Sequence, residues 1–335
     1  MRKIWWVGFV LSFLVVGCSV PQSATRTPLT TPSPIAKAGK IRASLGGLDV
    51  TDIPYLMALD KLKTQGYTVE TTQFDQFELI TAAMTKGDLD IAGASRQTTW
   101  AAIAKGAPIE EIVPKSHNYY YLVVKQDIAT CADLNGKTIA VGATGGVVTS
   151  MVDQYLKDKC PGVTPQIIVI PSTTNRTAAL LAGQIDASPL ALENLLQLER
   201  DAPGRFHALV DFDKVYPQID IVGYFVTRAW ATAHPDAVKD FLRDLIEARR
   251  QIQDKQVLHQ EVVKYFGADD TAAQETAAAY VDRNMWDVNG GLTMDNVQWM
   301  IDFLAKAGDL KPGLKAADVA DAAFLTDVLD GIGRK

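Results

Sequence analysis

The sequence predicts an α/β protein of two similar lobes, a clamshell joined by two crossover hinge strands and completed by a helical C-terminal region. Three observations carry that expectation. A phrase is written twice: Ala82-Ala83-Met84 leads to Gly87, Leu89 and Asp90, and Ala178-Ala179-Leu180 leads to Gly183, Ile185 and Asp186. Around each copy, strand-like and helix-like segments alternate, which is the pattern of a mostly parallel sheet with covering helices. Two strongly β-prone runs, 119–124 and 220–226, stand where the chain leaves each copy.

The chain opens with basic Met1-Arg2-Lys3 and an apolar stretch, 4–16, too short to span a bilayer comfortably. This runs into Val15-Val16-Gly17-Cys18, which resembles the lipobox of bacterial lipoproteins. That resemblance implies a signal peptide over 1–17, cleavage before Cys18 and lipid modification of the new N-terminus. A plain secretory signal or a short membrane anchor is the alternative. Residues 18–38 are rich in Pro, Ser and Thr and read as a disordered tether.

The first α/β unit opens at Gly39-Lys40-Ile41 and the second at Gly136-Lys137-Thr138-Ile139. Each opening strand is followed by a glycine pair, Gly46-Gly47 or Gly145-Gly146. A helical pattern comes next, 53–63 or 148–159, stopping at Gly66 or Gly162. Another strand follows, 68–73 or 166–170, then a second helix, the repeated phrase and a short third strand. Such signals are common singly; two sets in the same order indicate two like lobes, expected over 39–122 with 223–335 and over 123–222. Beyond the second β-prone run the chain reads as helices, at 235–253, 258–266, 271–283, 294–307 and 320–329.

A chain of 335 residues suits two such lobes. Its formal charge of −6 becomes −8 once Arg2 and Lys3 are removed, which argues against nucleic acid or an anionic membrane surface as partner. Besides Cys18 there are Cys131 and Cys160. Cys131 precedes a strand at 137–141 and Cys160 ends the helix that follows. A strand and its return helix run antiparallel, so these two ends meet and a disulfide is expected, with two free thiols as the alternative. The histidines His117, His207, His234 and His259 are scattered, without metal-ligand spacing, and no nucleophile elbow occurs. Neither a metal, a cofactor nor catalysis is expected.

The lipobox, the doubled unit, Asp133-Leu134-Asn135-Gly136-Lys137-Thr138-Ile139-Ala140-Val141 and Gly183-Gln184-Ile185-Asp186-Ala187 together resemble the extracytoplasmic solute-binding proteins of ABC importers. The branch is the one that holds alkanesulfonate-, taurine-, nitrate- and thiamine-precursor-binding proteins. The resemblance implies a type II periplasmic-binding-protein clamshell that captures a small-molecule solute. It also implies a lipid-anchored monomer on the extracytoplasmic face of a bacterial cell membrane, docking on a permease with its ATPase. Thiamine-pyrimidine synthases share that fold, but their cysteine-dense motif is missing here.

In open α/β sheets ligands bind outside the carboxyl ends of the strands. That singles out the loop from Ser44 to Asp49 with Gly46, then Ser95, Arg96, the Thr144-Gly145-Gly146 loop, Thr173, Asn175 and Ser188. Loops that open helices present free N–H groups, and glycines admit a ligand to the backbone. Arg96 and Arg176, in loops the repeat roughly equates, are either anion clamps or rim charges. Tyr119, Tyr121 and Tyr224 at the hinge offer faces for stacking, or else pack between lobe and helices. Glu193-Asn194 resembles a pair in thiamine-precursor binders that would read a ring's polar edge. The tyrosines and Glu193 favour a vitamin-like heteroaromatic, riboflavin first and the thiamine pyrimidine precursor second. Helix N-termini with an arginine favour the alternative, a small oxyanion such as an alkanesulfonate, taurine or nitrate.

Overall fold

The structure, a computed structural model, describes residues 39–74 and 76–335. The expected signal peptide, Cys18 and the tether therefore lie outside the described residues. The first unit runs β1 (Lys40–Gly46), α1 (Ile53–Thr64), β2 (Thr68–Phe74), α2 (Phe77–Lys86), β3 (Ile91–Ser95), α3 (Arg96–Ile103) and β4 (Ile109–Pro114). The second runs β5 (Tyr120–Lys125), β6 (Thr138–Val141), α4 (Val147–Lys159), β7 (Gln166–Val169) and α5 (Thr173–Leu181). It continues through β8 (Ala187–Ala191), α6 (Leu192–Asp201), β9 (Phe206–Asp211) and the single turn α7 (Phe212–Val215). Then come β10 (Val222–Thr227), α8 (Arg228–Ala233), α9 (Pro235–Gln251), α10 (Lys255–Phe266) and α11 (Asp270–Asp282). The tail ends in α12 (Met294–Ala307), α13 (Ala316–Val319) and α14 (Ala323–Ile332).

Two five-stranded sheets result, ordered β2-β1-β3-β10-β4 and β7-β6-β8-β5-β9. Strand for strand the orders correspond, and β10 and β5 are the antiparallel members that each sheet receives at the crossover. Even the register shifts agree, between Tyr224 and Phe225 in one sheet and between Leu122 and Val123 in the other.

The doubled phrase now has a physical account. Gly87 and Gly183, with φ of +77° and +73°, turn the chain after a helix, where a side chain would be strained. The aspartate that follows stitches the third strand to the first. Asp90 accepts the N–H of Arg42 at 2.8 Å while its own N–H donates to the Arg42 carbonyl at 2.8 Å. Asp186 treats Thr138 in the same way, at 2.9 Å in both directions. Each carboxylate also holds a cation, Arg42 Nε at 3.0 Å or Lys125 Nζ at 2.7 Å.

Ile41, Ala43, Ile91 and Ala92 of the first sheet share one buried cluster with Leu59 and Leu62 of α1 and Phe241, Leu242 and Leu245 of α9. Full burial of such side chains is worth about 1.5–3 kcal/mol each. In the second cluster Val123, Leu180, Leu190 and Leu198 join Leu258 and Val262 of α10, Tyr280 of α11 and Ile53 of α1. The C-terminal helices thus belong to both halves. The helix expected at 320–329 starts later, as α14, because Ala320 bridges to β4 and the Asp321 N–H donates to the Glu111 carbonyl at 2.9 Å. Cys131 and Cys160 are joined in a disulfide, with Cα atoms 5.7 Å apart. No helix among the described residues is long and apolar enough to cross a membrane.

Candidate functional site

On the first-lobe side, the chain leaves β1 through a short 3-10 turn, Val50–Asp52, held by a reciprocal cap. Asp49 Oδ1 accepts the Thr51 N–H at 2.8 Å, and Asp52 Oδ2 accepts the Asp49 N–H at 3.0 Å. Lys115, the residue after β4, is buried between these carboxylates, with Nζ 2.7 Å from Asp52 Oδ2 and 3.4 Å from Asp49 Oδ1. Tyr119 completes the cluster by donating its hydroxyl to Asp49 Oδ2 at 2.9 Å. Burial pushes the Asp52 carboxyl up to about 6, with Lys115 opposing and Asp49 adding to the shift. Burial also acts against the Lys115 ammonium, but Asp49 and Asp52 outweigh it and hold its pKa above the ordinary value. Beside them is a cavity of about 10 Å³, lined by Ser44, Gly46, Asp52, Tyr55 and Lys115 among others.

On the second-lobe side the central group is Arg176, on α5 and 3% exposed. Its Nη1 donates to the Ile170 and Pro171 carbonyls at 2.9 and 3.0 Å. Its Nη2 donates to Thr173 Oγ1 at 3.0 Å and its Nε to Ser188 Oγ at 3.2 Å. Every partner is neutral; among the described residues no carboxylate pairs with it. Burial lowers its pKa from the ordinary arginine value, yet a guanidinium stays charged at neutral pH. Glu193, in the first turn of α6, accepts the Tyr280 hydroxyl at 2.6 Å. Burial first and Asp49 second push its carboxyl up to about 7. Tyr120 lies where these charges converge: burial, then Glu193 and Asp49, raise its hydroxyl pKa, and Arg176 opposes them.

The sequence-predicted residues divide between this region and other duties. Thr173 and Ser188 are drawn together as ligands of the Arg176 guanidinium, and Ser188 also donates to the Ala140 carbonyl at 2.9 Å. Asn175 is exposed, and its N–H is capped by Ser172 Oγ at 3.3 Å. Gly46 lines the small cavity, where an added Cβ would lie 2.6 Å from Ile80 Cδ1. Ser95 is the N-cap of α3 without a side-chain capping bond. Thr144 is exposed, while Gly145 and Gly146 approach Asp309 rather than the Arg176 region.

Four expectations need correction. Arg96 is no free anion clamp: it is buried, with Glu111 Oε1 2.6 Å from Nη2 and Asp220 Oδ2 3.3 Å from Nη1. Nor does the repeat equate it with Arg176. Arg96 follows β3, whose counterpart β8 leads to Leu192, whereas Arg176 lies on α5, the counterpart of α2. Tyr224 offers no face for stacking, because it already stacks on Tyr55 (4.9 Å, 18°) with Phe241 at its edge. Tyr121 lies under the Arg283 guanidinium, 4.8 Å from its ring centroid, and Arg283 is fixed by Asp211 at 2.9 Å. Sequence reasoning missed Asp52, Lys115 and Tyr280. The Asp49-Val50-Thr51-Asp52 spacing is a capping signal that would have found the first; nothing local marks Lys115 or Tyr280.

Comparison with known proteins fits this architecture. Residues 53–253 match the family described as NMT1/THI5 like. The taurine-binding periplasmic protein of Escherichia coli (strain K12) is 29% identical over 196 residues, 56% of this chain and 58% of that protein. The chain thus aligns with little more than half the length of that curated relative. The ligand-binding component of an ABC-type import system from Staphylococcus aureus, solved with zinc bound, superposes with a TM-score of 0.70. It is 15% identical, with 87% of this chain and 99% of that one covered. The alkanesulfonate-binding protein SsuA from Xanthomonas axonopodis pv. citri, bound to MOPS, gives 0.64 at 18% identity over 84% of this chain and 98% of its own. At such identities the superpositions establish the fold, that of type II periplasmic binding proteins. With the family match spanning most of both α/β units, the chain belongs to the NMT1/THI5-like family.

Proposed function

We propose that the protein is the solute-binding component of an ABC importer and that its solute is a small organic oxyanion of the sulfonate kind. The observation that carries the reading is Arg176, a buried cation at the strand ends of the second lobe whose partners are all neutral. A charge held by dipoles alone leaves a positive potential for an anion to neutralise. The taurine and alkanesulfonate binders among its relatives support the same choice. Riboflavin, the leading expectation from sequence, gives way because two of the three tyrosines invoked for it are packed against Tyr55 or Arg283. Asp49 and Glu193 nearby would suit an ammonium group, so an amino-sulfonate such as taurine matches both signs.

Capture follows from closure. Lobes over 39–122 with 223–335 and over 123–222 close on the solute, and only the closed form lets both touch it, so binding shifts the population toward closure. A permease with its ATPase would receive the loaded monomer, and the lipobox-like segment at Cys18 supports anchoring at the extracytoplasmic face of a cell membrane. The test is calorimetric titration of the refolded protein with taurine, butanesulfonate and nitrate. Binding of at least one at one equivalent is expected, with Arg176→Met weakening it roughly 10- to 100-fold, the range for a charged hydrogen-bonding partner. Lack of binding by all three, or an unaltered affinity in the variant, overturns the oxyanion reading.

A further inference from the structure

Helix α4 starts at Val147 behind Gly146, a residue with no side chain to cap it. Its cap comes from far along the chain. Asp309 Oδ1 accepts the Gly146 N–H at 3.4 Å, and its Oδ2 accepts the Ser150 hydroxyl. The approach is close enough that a Cβ on Gly145 would stand 3.3 Å from Asp309 Oδ1, and one on Gly146 would stand 3.7 Å from Gln97 Oε1 of α3. Both glycines have positive φ, +87° and +96°.

Asp309 follows a helix that is tied to the first sheet, although its Phe303 also reaches the second half, 5.4 Å from the Tyr216 ring. The helix before it, α12, sets Met300 Sδ 3.7 Å from Arg96 Nη1. Beyond it, Ala320 and Asp321 are tied to Glu111 of β4 in the first sheet. The Gly146–Ser150 segment instead opens the helix that follows β6 of the second sheet. The contact therefore joins a carboxylate carried by the first lobe to a helix N-terminus carried by the second.

We propose that Asp309 is a clasp that caps α4 only when the lobes are closed, so that the protein stabilises its own closed form before any solute arrives. A negative charge at the N-terminus complements the unsatisfied N–H groups and the helix dipole, and opening would strand both. The same contact keeps the glycine loop from taking a second anion.

The experiment uses the full chain in detergent, without solute. Donor and acceptor dyes on unnatural amino acids at the exposed Lys86 of α2 and Lys159 of α4 report the separation of the lobes by single-molecule energy transfer. The wild type should populate a compact state, and Asp309→Ala should lower its closed-to-open ratio roughly 2- to 30-fold, the span expected for a charge at a helix N-terminus. Ser150→Ala should move the ratio in the same direction by less, and it serves as the readout should Asp309→Ala fail to fold by circular dichroism. A wild type found wholly open, or folded variants with unchanged distributions, would overturn the clasp. Because no solute enters the measurement, the result stands apart from the identity of the ligand.

Discussion

Arg96 and Arg176 are both buried near the carboxyl ends of strands, 1% and 3% exposed, and they are neutralised by opposite means. Arg96 has two carboxylates, Glu111 and Asp220, and a Trp100 ring 5.3 Å away that itself donates to Glu111 at 3.1 Å. Arg176 has two carbonyls and two hydroxyls. The first is a pin that fastens α3 to β4 and to the second crossover, with its field cancelled locally. The second keeps its field. Sheets of the same strand order can thus carry unlike electrostatics, because topology fixes where strand ends meet and says nothing of what charges stand there.

The largest test of that contrast is stability. Arg96→Met strands two buried carboxylates and should cost about 3–5 kcal/mol in urea unfolding. Arg176→Met leaves only neutral groups short of a donor and should cost about 1–3 kcal/mol. Equal losses would break the distinction between pin and site.

A second test concerns Glu193, whose carboxyl titrates near 7 in the folded protein against 4.5 ordinarily. The folded state holds this proton more tightly than the unfolded chain does. The resulting stabilisation is fully present below about 4.5 and is lost as the pH rises through 7. Glu193→Gln should remove that part of the slope, so that between pH 5 and 7.5 the wild type loses about 2 kcal/mol more than the variant. Denaturation curves at a series of pH values report it, and parallel curves would mean that Glu193 is an ordinary solvated acid.

The smallest effect compares the two stitching aspartates. The Asp90 side chain is 2% exposed and that of Asp186 23% exposed. Asp90→Asn should therefore cost about 1–2 kcal/mol and Asp186→Asn about 0.5–1 kcal/mol, since asparagine keeps an acceptor for the strand N–H but loses the charge. The reverse order in chemical denaturation would place the burden on the backbone stitch rather than on the ion pair.

Much of the scaffold was legible before folding. The glycine-closed helices, the strands that follow them and the repeated aspartate are local signals, and their doubling predicted two like lobes. Strand β4 was not legible, because Glu110 and Glu111 stand in the middle of its buried run and erase the apolar signal that made the equally buried β10 readable. Candidate residues fared by the same rule. Thr173 follows β7 as expected, whereas Ser188, expected in a loop after a strand, lies inside β8, and the two meet only through Arg176. The tyrosines were left between stacking on a ligand and packing, and for two of them partners from distant parts of the chain decide for packing, Arg283 against Tyr121 and Tyr55 against Tyr224.

By itself, the sequence determined the order of elements and hence which loops crowd the strand ends, because helix and strand periods and their glycine stops act over a few residues. Only the tertiary structure decided which charges are cancelled there. That depends on partners such as Asp49 with Lys115, Glu193 with Tyr280 and Asp309 with Ser150, which lie 66, 87 and 159 residues apart and meet only when the two sheets and the helical tail have packed.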